Sequence, residues 1–221
     1  MKRVTVHPLF APIVSESAGI DYRTLDVPEQ AVSLFGRKPS TLWYLGNTSL
    51  LDHTLIGIVS ARAAESYLNS RTEELLRELA GIQATFIGGW HSSLEKESLK
   101  VLLRESPRVI VCLAKSVNRF GFFQELKTLL NQDRLLLVTH CGPRAKRISR
   151  DASLKRNYLV AGLAKALLVL AAPEGSATFK LAASVIQLGK PVFAPEQPAN
   201  KSLFACGALP ATIERIQKHL R

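Results

Sequence analysis

The stretch VIVCLAKSVNRFGFFQELKTLLNQDRLLLV, Val109 to Val138, decides the fold. Its two ends, VIVCL at Val109–Leu113 and LLLV at Leu135–Val138, are short unbroken apolar runs. Runs that short and that apolar read as strands covered on both faces. Between them, Phe122 to Leu130 spaces its apolar residues as a helix does. Strand, helix, strand predicts two parallel neighbours, because parallel strands need a long crossover to return the chain to the same edge.

The same alternation continues in both directions. Upstream, LWYL at Leu42–Leu45 is a short strand closed by the turn signal Gly46-Asn47, and LIGIV at Leu55–Val59 is a second strand. Arg71–Leu79 is a helix with Gly81 as its stop. Ala84–Ile87 is a strand running into Gly88-Gly89, and Leu94–Leu103 is an amphipathic helix. Downstream come a helix at Leu154–Leu163, a strand at Ala166–Leu170, a helix at Thr178–Leu188, a strand at Pro191–Ala194 and a short basic helix at Ala211–Leu220. The prediction is an α/β fold, Rossmann-like and doubly wound, with a mostly parallel sheet and helices on both faces. Residues 1–40, with Pro8, Pro12, Pro28 and Pro39 and weak periodicity, read as an N-terminal extension. Residues 41–210 form the Rossmann-like domain, and 211–221 a helical tail.

Of the 221 residues 47% are hydrophobic and 21% charged, which excludes a disordered chain. No apolar run approaches the roughly 18–20 residues of a membrane span. The start, MKRVTVHPLFAPIV, is broken by His7, Pro8 and Pro12, and reads as no signal peptide. Cys112, Cys141 and Cys206 are odd in number and widely spaced, which suits a reducing cytoplasm. Lys plus Arg number 29 against 18 acids, a net charge of +11 that favours a polyanionic partner such as nucleic acid. A solvated basic surface explains the same number equally well, so position decides.

Ligands of such folds bind beyond the carboxyl ends of the strands. Ser60-Ala61-Arg62 follows one strand: small residues admit an anion and Arg62 can fork onto a phosphate, or the segment is a plain turn. Gly88-Gly89-Trp90-His91-Ser92-Ser93 follows the next. Its glycines permit positive φ and close approach by a ligand, Ser92 or Ser93 can cap the following helix, and Trp90 is a base-stacking surface or a core aromatic. His91 reads as a structural or surface histidine. Ala114 to Arg119, with Lys115, leaves the strand Val109–Leu113. Between Cys141 and Arg156 lie six cations, Arg144, Lys146, Arg147, Arg150, Lys155 and Arg156, against Asp151. That basic loop, Arg144 to Arg156, predicts strongly salt-dependent binding to a nucleic-acid backbone. Glu174-Gly175-Ser176-Ala177-Thr178 opens a helix with small hydroxyl residues, which suits a phosphate or plain N-capping by Ser176 or Thr178.

Several chemistries are excluded. The chain has no Walker sequence, no G-x-G-x-x-G and no G-x-S-x-G elbow. His140 and Cys141 are adjacent, but no partner pair stands at metal-ligand spacing. No cofactor, no metal and no catalytic residue is expected.

Taken together, these segments resemble the DNA-processing protein A (DprA/Smf) family of single-stranded DNA binders. The resemblance covers about Leu42 to Pro210. LWYLGNTSLL at Leu42–Leu51 is similar to the family's Leu-Tyr-x-x-Gly-Asn, and IVSAR at Ile58–Arg62 to its Ile-Val-Gly-Ser-Arg. FIGGW at Phe86–Trp90 resembles its Val-Ser-Gly-Leu. RNYLVAGLAKALLVLAA at Arg156–Ala172 resembles its Arg-Asn-Arg-x-x-Ser-Gly-Leu-Ser, and SATFKLAASVIQLGKPVFA at Ser176–Ala194 its closing Ser-Gly-Ser-helix-Gly-Arg-x-Val-Phe-Ala.

The chain also departs from the family. Ser60 stands for a Gly and Ala61 for a Ser, Gly88 for a Ser, and Ala177 for a Gly. The family's Ala-Arg-Gly-Ile-Asp is His91-Ser92-Ser93-Leu94-Glu95, and its Leu-Gly-x-Gly is Leu113-Ala114-Lys115-Ser116. Pro195 to Arg221 is too short for the winged-helix-like domain that many members carry. The resemblance places DNA contacts on Arg62, Gly89, Arg156, Asn157, Ser176 and Thr178, with Arg144, Lys146 and Arg147 matching a cationic family loop more loosely. It implies non-enzymatic binding of single-stranded DNA in uptake and recombination, help in loading a strand-exchange recombinase, and a homodimer. Two alternatives stand beside it. One is a small-nucleotide site like that of the lysine-decarboxylase-like phosphoribohydrolases, although Pro173 to Ser184 lacks their catalytic Glu after Gly175. The other is a scaffold that binds protein alone.

Overall fold

The computed structural model describes residues 23–27, 41–62, 68–105, 107–121 and 124–221. Among them nine strands form one sheet. In chain order they are β1 (Arg23–Leu25), β2 (Leu42–Gly46), β3 (Leu55–Val59), β4 (Thr85–Gly88), β5 (Arg108–Leu113), β6 (Leu135–Thr139), β7 (Ala166–Val169), β8 (Val192–Ala194) and β9 (Leu209–Pro210). The helices are α1 (Ser70–Ala80), α2 (Ser93–Arg104), α3 (Gln124–Asn131), α4 (Arg150–Leu163), α5 (Ala177–Gln187), α6 (Lys201–Ala205) and α7 (Ile213–Leu220).

Across the sheet the order is β1-β2-β6-β5-β4-β3-β7-β8-β9. From β6 to β9 every neighbouring pair is parallel, while β2 runs antiparallel to β6 and β1 antiparallel to β2. The chain starts the parallel sheet at β3 and steps outward through β4 and β5 to β6. Helix α4 then carries it back across the sheet to β7, on the other side of β3. Winding therefore reverses at β3 and β7, the place where doubly wound sheets open a crevice.

Side-chain alternation along each strand sorts two helical layers. Leu55 and Val59 face α4, α5 and α6, where Leu159, Val160, Leu181, Val185 and Leu203 are buried. Ile56 and Ile58 face the other layer, with Leu76 and Leu79 of α1, Leu99 and Leu102 of α2, Leu126 of α3 and Ile216 of α7. Each such burial contributes about 1.5–3 kcal/mol. At Gly57 an added methyl group would stand 2.8 Å from Leu167 Cδ1 and 2.9 Å from Ala164 Cβ. The missing side chain lets α4 cross close over β3, which sets the depth of everything α4 carries.

The expected strands and helices appear within a few residues, with three differences. Helix α4 begins at Arg150, capped by Ser149, whose hydroxyl accepts from the Ala152 amide at 3.0 Å. The basic segment is therefore a loop only to Ser149, and Arg150, Lys155 and Arg156 are helical. The exposed, charged first turns of α4 carry no apolar period to announce them. Strand β1 falls in the stretch read as irregular; three residues paired only to an edge leave no pattern. Helix α6 and strand β9, five and two residues long, escape for the same reason. Helix α3 begins at Gln124, and Phe122 and Phe123, read as its start, lie outside the described residues. Among the described residues no helix is long and apolar enough to cross a membrane.

Candidate nucleic-acid interface

The loops after β3, β4, β5 and β6 and the start of α4 meet at one edge of the sheet. The loops after β4, β5 and β6, together with α2, α3 and α4, enclose a pocket of about 360 Å³. Its floor is apolar, with Leu99, Val111, Leu113 and Leu126, and its rim carries Lys96, Lys115 and Arg156 beside His91.

Gly88, which ends β4, and Gly89, which follows it, make room for the protein's own side chains. A methyl group on Gly88 would stand 2.8 Å from the Trp90 ring, and one on Gly89 would stand 2.5 Å from Arg156 Nε. The positive φ expected of these glycines belongs instead to Trp90, at 49°. Trp90 is buried, and its indole N–H donates to the Ile110 carbonyl at 3.2 Å. It is the core aromatic of the two readings, with part of its surface on the pocket wall.

Glu95, buried in the first turn of α2, ties two loops together. Its Oε1 accepts from the Ser60 amide at 2.9 Å, and its Oε2 accepts from the amides of His91 at 2.7 Å and Ser92 at 3.3 Å. Ser92 completes a capping box with it. Three amides of these loops are thus occupied by an internal carboxylate. Sequence reasoning missed Glu95, although Ser-x-x-Glu at Ser92–Glu95 is a readable capping signature.

Arg156 is 5% exposed, and its Nε and Nη2 both donate to Asn157 Oδ1, at 3.0 and 2.9 Å. Burial pushes its pKa down, and the negative charge of Glu95 pushes it back up. Burial also lowers Lys115. His91 is lowered to about 4 by burial, then by the positive charges of Arg156, Arg62, Lys96 and Lys115. At neutral pH the ring is uncharged among four cations. Such a cluster, set over an apolar floor, has the chemistry of an anion site with a flat hydrophobic group attached.

The structure brings Ser60, Arg62, Gly88, Gly89, Lys115, Arg156 and Asn157 to this edge. Ser60 is buried, and Arg62 is exposed in the turn after β3. Arg144, Lys146 and Arg147 are exposed on the β6–α4 loop. That loop is anchored by the Ser116 amide donating to the Ala145 carbonyl at 2.9 Å, and it places Ile148 on the pocket wall. Lys155 pairs with Asp151 at 2.9 Å. Ser176 and Thr178 lie apart from the pocket lining. Ser176 caps α5, accepting from the Phe179 amide at 3.0 Å, and Thr178 is buried. Their loop follows β7, next to β3 in the sheet, and Asn200 holds it by accepting from the Ala172 amide at 2.9 Å. Among the described residues no His, Cys, Asp and Glu cluster could hold a metal ion.

A doubly wound, mostly parallel sheet with a cation-lined pocket at its carboxyl edge defines a Rossmann-like α/β domain. The sequence profile of the DNA recombination-mediator protein A family matches residues 21–213, and the chain belongs to that family. Two solved structures share its fold. DNA processing protein A from Helicobacter pylori, a structure concerned with that protein's single-stranded DNA binding mode, is 21% identical, with a TM-score of 0.74 over 91% of this chain and 96% of that one. DNA processing protein A from Streptococcus pneumoniae is 19% identical, with a TM-score of 0.70 over 86% of this chain and 71% of that one. The molybdenum cofactor binding protein from Rippkaea orientalis is more distant, 14% identical with a TM-score of 0.51 over 76% of this chain and 98% of that one. No curated protein matches the chain.

Proposed function

We propose that the chain binds single-stranded DNA without chemistry on it and serves DNA processing and recombination. One observation carries this reading: Lys96, Lys115, Arg156 and His91 line a pocket whose floor is apolar, and the charge of Arg62 also reaches the His91 ring. Phosphates meet the cations, and the face of an unpaired base meets the floor, which a stacked duplex cannot present. Family membership and the single-stranded DNA binding of the Helicobacter pylori protein support it. The proposed DNA track takes in Arg62, Lys115, Arg156 and Asn157 beside the backbone of Ser60, Gly88 and Gly89, which shapes its wall, runs along Arg144, Lys146 and Arg147, and reaches the loop of Ser176 and Thr178 past β3. Its client is a strand-exchange recombinase, a homodimer lengthens the track, and the setting is the cytoplasm, in uptake of transforming DNA or in repair. The test is competition. Labelled oligothymidine binds at low salt, unlabelled single strand displaces it, and duplex of equal length competes far less. Absence of binding at low salt overturns the reading.

A second reading, a small-nucleotide site, draws on the pocket's size, since about 360 Å³ lies in the range of small-ligand pockets. A rise of several degrees in Tm with a mononucleotide, and none with oligothymidine, supports it over the first.

A further inference from the structure

We propose that His91 is a binding residue of this site and holds the polyanion as an imidazolium, taking up its proton when the anion arrives. The inference rests on the single-stranded DNA reading above. Its ground is placement. The chain turns at Trp90 in the left-handed region, and the His91 amide is fixed on Glu95 Oε2 at 2.7 Å. That backbone sets the imidazole into the pocket wall beside Lys96, Lys115 and Arg156.

Among the described residues, charged or titratable groups reach the ring from several parts of the fold. Arg62 follows β3, Lys96 and Glu95 stand on α2, Lys115 follows β5, and Arg156 stands on α4. Cys112 of β5 is also in the lining, and burial pushes its thiol up, so it stays neutral. Glu95 is committed to the backbone amides of Ser60, His91 and Ser92. In the free protein burial first, and then these four cations, hold the ring at about 4.

A phosphate among those cations reverses the sign of that argument. Its charge offsets their repulsion, and its oxygen accepts from a ring N–H, both of which favour the protonated form. Binding then takes up a proton, and by linkage the affinity rises as pH falls. If the bound ring recovers its ordinary value of 6.5 from about 4, affinity rises roughly thirty-fold between about pH 8 and about pH 5. His140 is also held at about 4, by burial first, but it is absent from the pocket lining and serves as the control.

The experiment is fluorescence anisotropy with labelled oligothymidine, whose bases do not titrate in this range, at fixed ionic strength from about pH 8 to about pH 5. It uses the full chain, His91→Gln and His140→Gln. Imidazole NMR titration of the full chain, free and saturated with oligothymidine, runs in parallel. The proposal expects a rise of at least tenfold in the full chain and in His140→Gln, a flattened profile in His91→Gln, and a His91 titration that moves from about 4 to above 6 on saturation. Binding with the same pH profile in His91→Gln, or a His91 ring still neutral in the complex, overturns the inference and leaves the DNA reading standing. Absence of binding at every pH overturns both.

Discussion

The guanidinium of Arg156 lies against the bare Cα of Gly89, so closely that a methyl group there would stand 2.5 Å from Nε and 2.7 Å from Cζ. The β4 loop and helix α4 are fitted to each other at this point, and the Arg156 guanidinium is held by backbone shape as well as by Asn157, while the charge of Glu95 favours its protonated form. Gly89→Ala forces the guanidinium out of its seat. Overpacking of this kind costs about 1–3 kcal/mol. The expected outcome is a Tm lowered by about 3–10 °C and oligothymidine affinity reduced about tenfold, measured by calorimetry and anisotropy.

Glu95→Gln tests the carboxylate that joins two loops. The substitution keeps the shape but turns an NH₂ group toward the Ser60 amide or toward those of His91 and Ser92. A buried donor left facing a donor costs about 1–3 kcal/mol. Hydrogen exchange is expected to show faster exchange at Ser60, His91 and Ser92, with the amides of β3 and β4 still protected.

Acid is expected to destabilise the protein through two histidines. His91 and His140 are each held at about 4 in the fold, below the ordinary 6.5 of an unfolded chain. Between those values the unfolded state binds more protons, so stability is present above about pH 6.5 and falls as pH drops toward 4. His140 Nδ1 is buried and, among the described residues, has no hydrogen-bond partner to receive the added proton's bond. Tm measured from about pH 7.5 to about pH 5 is expected to fall, with a shallower fall in His140→Gln. Saturating oligothymidine is expected to remove part of the fall that belongs to His91.

Neutralising Arg144, Lys146 and Arg147 together to Ser tests the reach of the track. All three are exposed and lie on the β6–α4 loop, outside the core. Tm is expected to hold within about 2 °C, because exposed substitutions cost within about 0.5 kcal/mol. The slope of log affinity against log salt is expected to become shallower by about 0.7 for each phosphate that the loop no longer neutralises.

Much of this arrangement was legible in the sequence, and the gaps have physical causes. Leu55–Val59 and Val109–Leu113 announce buried strands because they are apolar on both faces, and that alternation with helices yields the fold and its functional edge. Gly88-Gly89 marks a close approach, but whether the approaching group is a ligand or Arg156 depends on where α4 crosses, and α4 is set by Gly57, some thirty residues away. The Ser92–Glu95 capping box is local and readable. That the same carboxylate also reaches Ser60 is a tertiary fact with no local signature. Charge counting located the basic segment but could not tell buried Arg156, on the site, from Lys155, paired with Asp151 in solvent.

The central claim is that Arg156 and its neighbouring cations hold the phosphates of a single strand. The most direct measurement is anisotropy of labelled oligothymidine across a salt series, for the full chain and for Arg156→Met, which fills the space without the charge. Log affinity is expected to fall linearly with log salt, with the variant about tenfold weaker and its slope shallower by about 0.7. Equal affinity and equal slope in the two proteins would contradict the claim.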